Sequence, residues 1–72
     1  MKFSRHARNK MRKDRISDDD VRLCIEQPES SEPSIRGRTN YRRTYRDAEL
    51  AVTAVEEAGE WVIITVVYRK RR

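Results

Sequence analysis

Hydrophobic positions are sparse along this 72-residue chain, and the densest run lies near the C-terminus. There, Trp61-Val62-Ile63-Ile64-Thr65-Val66-Val67-Tyr68 is apolar almost throughout and rich in β-branched and aromatic side chains. A run of this length is too short to span a membrane and reads as a strand, over 61–69, buried on both faces at the centre of a sheet. Residues 49–56 read as a second strand. Glu57-Ala58-Gly59-Glu60 then forms a hairpin turn in which Gly59 can take a positive φ. Residues 40–46 alternate, with Tyr41, Arg43 and Tyr45 on one face and Arg42, Thr44 and Arg46 on the other. That predicts a half-buried strand with a cationic exposed side. Asp47-Ala48 is its turn, and residues 32–38 offer a further edge strand.

The first third of the chain carries the helical period. Ser4 is an N-cap candidate for a helix over 4–15, with Phe3 before it. At about 100° per residue, Phe3, Ala7 and Met11 form one apolar stripe, and Arg5, Arg8, Arg12 and Arg15 a roughly opposite one. His6, Lys10 and Lys13 lie on the third side. Like charges at these spacings repel, so this helix needs a docked face or an anion. A second helix over 17–27 has Ser17 as N-cap, Asp20 completing an approximate capping box, and Ile16 and Val21 at staple spacing. Asp18, Asp19 and Asp20 suit the positive end of the helix dipole. Val21, Cys24 and Ile25 make its buried stripe, Leu23 widens it, and Pro28 ends it. Residues 29–34 are loop chemistry.

Only 36% of the residues are hydrophobic and 40% are charged, so the core must be thin. The expected fold is α+β: two N-terminal helices packed on one face of a three- to four-stranded antiparallel sheet, in a single small domain over 1–72. The tail from Lys70 to Arg72 is expected to fray.

Charge falls in blocks. Residues 1–15 hold seven Lys/Arg and one acid, 16–34 six acids and one Arg, and 35–46 five Arg and no acid. Residues 47–60 then hold five acids and no base, and 61–72 four bases and no acid. The net charge of +5 favours a polyanionic partner. Nucleic acid ranks ahead of membrane, because no amphipathic span carries a large apolar face. The three basic blocks either converge into one patch or spread over a solvated surface. A lone cysteine, Cys24, excludes an internal disulfide. Glycine-rich phosphate loops, paired carboxylates and zinc spacings are all missing, so no cofactor or metal is expected. The N-terminus lacks the apolar stretch of a signal peptide, and a cytoplasmic location is expected.

Three pieces of the first half stand in a recognisable series: Phe3-Ser4-Arg5-His6-Ala7, then Met11-Arg12, then Arg15-Ile16-Ser17-Asp18-Asp19-Asp20-Val21 with Pro28. Together with Gly37-Arg38-Thr39-Asn40-Tyr41 and Val62 to Tyr68 they resemble the family called domain of unknown function 4258, over almost the whole chain. That family is grouped by fold with the small RelE-like and barnase-like ribonucleases, which include toxins of toxin–antitoxin modules. The resemblance implies such a fold and a possible RNA-cleaving activity. It puts the family's histidine on His6, its strand threonine on Thr65 and its final tyrosine on Tyr68.

Metal-independent RNA cleavage needs a base for the 2′-hydroxyl, a cation for the phosphoryl oxygens and an acid for the leaving oxygen. His6, the sole histidine, suits the base, with Lys10, Arg12 and Tyr68 as its helpers; the plainer reading packs it beside Phe3. Tyr68 either places its hydroxyl by a phosphate or caps the open end of the core. Thr65 would support the site, or is an ordinary strand residue. Arg36, Arg38, Arg42, Arg43 and Arg69 are candidates for RNA backbone contact, arginine being suited to bidentate phosphate binding. Tyr41 and Tyr45 lie among them, where they could stack on bases or serve the core. An RNA ligand and an acidic antitoxin protein covering the same patch are the partners expected. The alternative is a non-catalytic nucleic-acid-binding or protein-interaction module.

Overall fold

Two serines start the two helices in the computed structural model, which describes residues 1–70. The helix α1 spans Arg5–Asp14, and the Ser4 hydroxyl accepts the Ala7 N–H at 3.0 Å. The helix α2 spans Asp18–Glu26. Its capping box is complete: Ser17 Oγ accepts from Asp20 N at 3.1 Å and Asp20 Oδ2 accepts from Ser17 N at 2.9 Å. Between them Arg15 takes the left-handed conformation, φ 56°, which lets the Ile16 N–H reach back to the Met11 carbonyl at 2.8 Å. That conformation costs a non-glycine residue roughly 1 kcal/mol, and the burial of Ile16 and Val21 on either side of the Ser17 cap offsets it.

Five strands form one sheet: β1 (Lys2–Phe3), β2 (Ser30–Pro33), β3 (Thr39–Tyr45), β4 (Ala48–Glu57) and β5 (Glu60–Lys70), in the order β1-β5-β4-β3-β2. The last three make the expected antiparallel meander. The sheet is otherwise larger than expected, and it is mixed rather than antiparallel. β1 pairs parallel to β5 through Lys2↔Val62 and Phe3↔Ile63, a two-residue strand too short to leave a period in the sequence. The edge strand lies at Ser30–Pro33 rather than 32–38, antiparallel to β3. Residues Ile35–Gly37 form a 3-10 turn in which Arg36 and Gly37 have φ of 57° and 73°. The β3–β4 turn is Arg46-Asp47, one residue earlier than expected, because Ala48 is fully buried at the start of β4. At the β4–β5 turn Ala58 and Gly59 both have positive φ, as a tight hairpin with right-handed strand twist requires.

α1 packs on β5, and α2 on β3 and β4. The core is made of Ala7, Met11, Ile16, Val21, Cys24 and Ile25 from the helical side and Leu50, Val52, Ala54, Ile63 and Val66 from the sheet. β5 is therefore not buried on both faces. Its fully buried residues, Ile63 and Val66, lie under the helices, whereas Val62, Thr65 and Val67 are half-buried on the other face with Ala51, Thr53 and Val55. Leu23 does not widen the buried stripe of α2 either, for it is 40% exposed. Cys24 fills the space between α2 and the sheet, its thiol donating towards the Tyr41 and Leu50 carbonyls at 3.5 and 3.7 Å. Burial pushes that thiol up to about 11, which leaves it protonated and unreactive at neutral pH. The tail residues Arg71 and Arg72 lie outside the described residues, while Lys70 is the last residue of β5.

Leu50→Ala removes a side chain that is 1% exposed at the centre of this core. It should cost about 2–5 kcal/mol in chemical denaturation, whereas Leu23→Ala should fall within about 0.5 kcal/mol of the parent. Equal losses would contradict the packing described.

Candidate functional site

The residues nominated for chemistry sit around α1 and at the far end of β5. Ser4 sets their positions. Its N–H bonds the Ile63 carbonyl at 2.9 Å and its hydroxyl donates to the Ile64 carbonyl at 2.7 Å while capping α1. α1 therefore starts beside the middle of β5. At its far end the Arg46 guanidinium donates to the Asp14 and Arg15 carbonyls, at 3.5 and 3.0 Å.

Around α1, Arg8 faces α2. Its guanidinium forks onto the Asp18 carboxylate, with Nη2–Oδ2 at 3.3 Å, and lies 3.9 Å over the Phe3 ring. That hydrogen bond holds the Asp18 carboxyl below the usual range and the Arg8 guanidinium above its own. His6, Lys10 and Lys13 occupy the opposite flank, away from α2 and towards the outer edge of β5. His6 and Lys13 are exposed and Lys10 is half-buried. His6 and Lys10 are one turn apart and so share a surface. Arg12 is exposed about 200° around the helix from Lys10, and the structure does not bring it to them.

Tyr68 points under the helices opposite Leu50 and meets Tyr45 edge-on, ring centroids 6.0 Å apart. Measured from the Ser4–Ile64 hydrogen bond, Tyr68 lies about 13 Å along β5 and His6 only about 3 Å along α1. The two sit at opposite ends of the helix, roughly 10 Å apart along its axis. Thr65 lies on the other face of the sheet, opposite Thr53. The cause is a β-bulge: Thr53 pairs with Thr65 but Ala54 with Ile63, so Ile64 is an extra residue. Trp61 and Ile63 therefore face the helices, as do Val66 and Tyr68, while Thr65 and Val67 face away.

The five nominated arginines divide between surfaces. Arg42 and Arg69 line a shallow depression of about 150 Å³ on the open face, with Ala51, Thr53 and Val67. Arg42 is already paired there with Glu32 at 2.9 Å and Glu49 at 3.9 Å. Arg43 points to the helical side and donates to the Gln27 carbonyl at the end of α2. Arg36 is exposed in the 3-10 turn, and half-buried Arg38 follows it. Tyr41 and Tyr45 face the helices, Tyr41 packing edge-on against Trp61 at 5.8 Å, so they do not interleave with the exposed arginines. A larger cavity of about 330 Å³, lined by Arg22, Ile25, Glu26 and Trp61 among others, holds none of the nominated residues. Among the described residues no group of three or more His, Cys, Asp or Glu is arranged to hold a metal ion. No helix among them is long and apolar enough to cross a membrane.

One contact escaped sequence reasoning. The Tyr45 hydroxyl donates to Asp20 Oδ2 at 2.7 Å, tying the capping box of α2 to the end of β3, and Arg46 lies 4.6 Å over the Tyr45 ring. Burial and the Asp20 carboxylate push the Tyr45 phenol up to about 12. For Asp20, burial raises the carboxyl, but the bonds from Tyr45 and Ser17 and the charge of Arg46 outweigh it and leave the group below its ordinary value. Only the capping-box half of this arrangement is marked in the sequence, because the Tyr45 partner is 25 residues away.

The family model for the domain of unknown function (DUF4258) matches residues 3–68. The chain belongs to that family. No curated protein and no solved structure matches it. Within this DUF4258 chain the matched segment runs from Phe3 in β1 to Tyr68 in β5, and so takes in the Ser4 junction, both helices and the whole meander.

Tyr45→Phe removes a hydrogen bond to a carboxylate and should cost roughly 1.5–3 kcal/mol. Because the folded Asp20 carboxyl titrates below its unfolded value, its contribution is full above about pH 4 and is lost as the pH falls through the lower folded value. Stability curves of the parent and of Tyr45→Phe should therefore converge as the pH drops below about 4. A constant gap down to low pH would show that the bond is not linked to Asp20 ionisation.

Proposed function

We propose that this chain acts on RNA, as a metal-independent endoribonuclease of the toxin type with a RelE-like fold. The observation that carries this reading is the state of the α1 cations. Among the described residues, Arg5, Lys10, Arg12 and Lys13 have no carboxylate within ion-pair distance, whereas Asp18, Glu32 and Glu60 are each taken up by other cations. α1 is thus a ridge of uncompensated positive charge, of the kind that holds a phosphate backbone. On its flank, His6 would take the 2′-hydroxyl proton and Lys10, one turn away, would stabilise charge on the phosphoryl oxygens. Tyr68 is too far along β5 to share that phosphate, so a water molecule would protonate the leaving 5′-oxygen. Arg69, and Arg36 with Arg38 beyond the other edge, would extend the contact to more of the strand. An acidic protein covering α1 would be the natural inhibitor.

A second reading keeps the RNA and drops the chemistry. It is favoured by the openness of the His6 flank, since the two cavities described above contain neither His6 nor Lys10. Catalysis gains most from a dry, enclosed site.

Four phosphate contacts to single-stranded RNA predict an affinity falling roughly 50-fold between about 50 and 200 mM salt, with a shallower slope for the Arg12→Ala/Lys13→Ala variant. A salt-independent affinity would remove the RNA reading altogether. Purified chain should cleave RNA, and His6→Ala should lose at least about 100-fold in rate while binding RNA as before. Binding without cleavage by the parent would leave the second reading standing.

A further inference from the structure

We propose that the outer edge of β5, from Thr65 to Lys70, is a docking site for an extended acidic strand supplied by a partner protein. On that side, pairing with β1 stops at Phe3↔Ile63, and Ser4 adds its two bonds to the Ile63 and Ile64 carbonyls before turning the chain into α1. Beyond Ile64, the backbone hydrogen bonds of β5 among the described residues all run to β4. Six residues of regular strand therefore direct about three N–H and three C=O groups outward.

The opposite edge of the sheet is managed differently. β2 is four residues long, ends in Pro33, and carries Glu32, which is engaged by Arg42. Short length, proline and charge are the usual protections of an edge. The edge of β5 has no proline, and its first four residues, Thr65 to Tyr68, are good strand formers.

The occupant follows from charge. Arg69 and Lys70 lie on the strand itself, and Lys10 and Lys13 look out from the flank of α1 above it. A second copy paired antiparallel through Thr65–Lys70 would set Arg69 and Lys70 opposite Val66 and Thr65, leaving those cations without a counter-charge. An acidic strand meets the opposite situation. Its main chain would complete the ladder, and its side chains would be chosen by register. β-branched residues suit the places beside Thr65 and Val67, and carboxylates the end beside Arg69 and Lys70. A protein inhibitor of the kind considered above could carry such a strand, but the inference rests on the edge and not on RNA cleavage.

The test uses the whole chain, isotopically labelled, and a blocked ten-residue peptide alternating valine and threonine, with glutamates towards one end. Its twin is N-methylated at alternate residues and has the same charge. The peptide should slow amide exchange at alternate residues of Thr65–Lys70 and leave Ser30–Ser31 unchanged. The twin should bind roughly 10-fold more weakly or worse, having lost its main-chain donors. Arg69→Glu should weaken the acidic peptide and favour a lysine-ended counterpart. Four results would overturn the proposal: equal binding by the twin, no protection at millimolar peptide, self-association of the chain through Thr65–Lys70, or protection of those amides by an RNA oligonucleotide but not by the peptide.

Discussion

The bond network of Ser4 is the constraint on which the rest of this fold depends. Its hydroxyl accepts from Ala7 N and donates to the Ile64 carbonyl, while its own N–H is held by the Ile63 carbonyl. One side chain thereby ends the parallel strand, caps the helix that follows, and seats that helix at the bulge of β5. Replacing a serine cap costs about 1 kcal/mol in helix stability alone. Here the same change also leaves the Ile64 carbonyl without its donor. Because β1 must stop at Phe3 for Ser4 to do this, the rest of the β5 edge has no strand beside it. The position of His6 and the opening of the edge thus have one cause.

How much could be read in advance depended on the range of the interaction. Caps, staple and hairpin are local, and Ser4, Ser17, the Ile16–Val21 spacing and Ala58-Gly59 all announce themselves within five residues. The faces of the strands did not. The run from Trp61 to Tyr68 looks buried on both sides because two half-patterns of opposite phase are joined at Ile64. Trp61 and Ile63 face the helices, and after the bulge Val66 and Tyr68 do. A period-2 reading that ignores the extra residue puts Thr65 beside Ile63, on the wrong face. Leu23 failed for a different reason: hydrophobicity says that a residue can be buried, and only the helix phase relative to the sheet says that it is.

The candidate site was legible on the helix and illegible across the sheet. Positions around α1 follow from 100° per residue, so the shared flank of His6 and Lys10 and the remoteness of Arg12 were already present in the numbering. The separation of His6 from Tyr68 was not, since it depends on where α1 starts along β5. The arginine-rich strand is instructive in the same way. Its alternation separates Tyr41, Arg43 and Tyr45 from a cationic exposed side, and the helices cover the tyrosine side. The aromatics that would have made a base-stacking platform are spent on the core, against Trp61 and Tyr68. Base stacking on the sheet therefore has no support, and charge on α1 is the stronger argument for a polyanion.

The cations at the end of β5 then have a consequence that neither a helix nor a strand would have alone. Lysine and arginine on an exposed edge are a usual guard against edge-to-edge pairing. The same charges would attract an acidic strand, and geometry fixes what that strand would do. Seated beside Thr65–Lys70, it would run beneath the flank that carries Lys10 and Lys13, bringing its carboxylates against the cations that RNA would need. Binding at the edge and binding on α1 would then compete through shared charge, even though one uses the backbone and the other side chains. The coupling would weaken with salt, because the charges are exposed. The main-chain part of the edge interaction would persist.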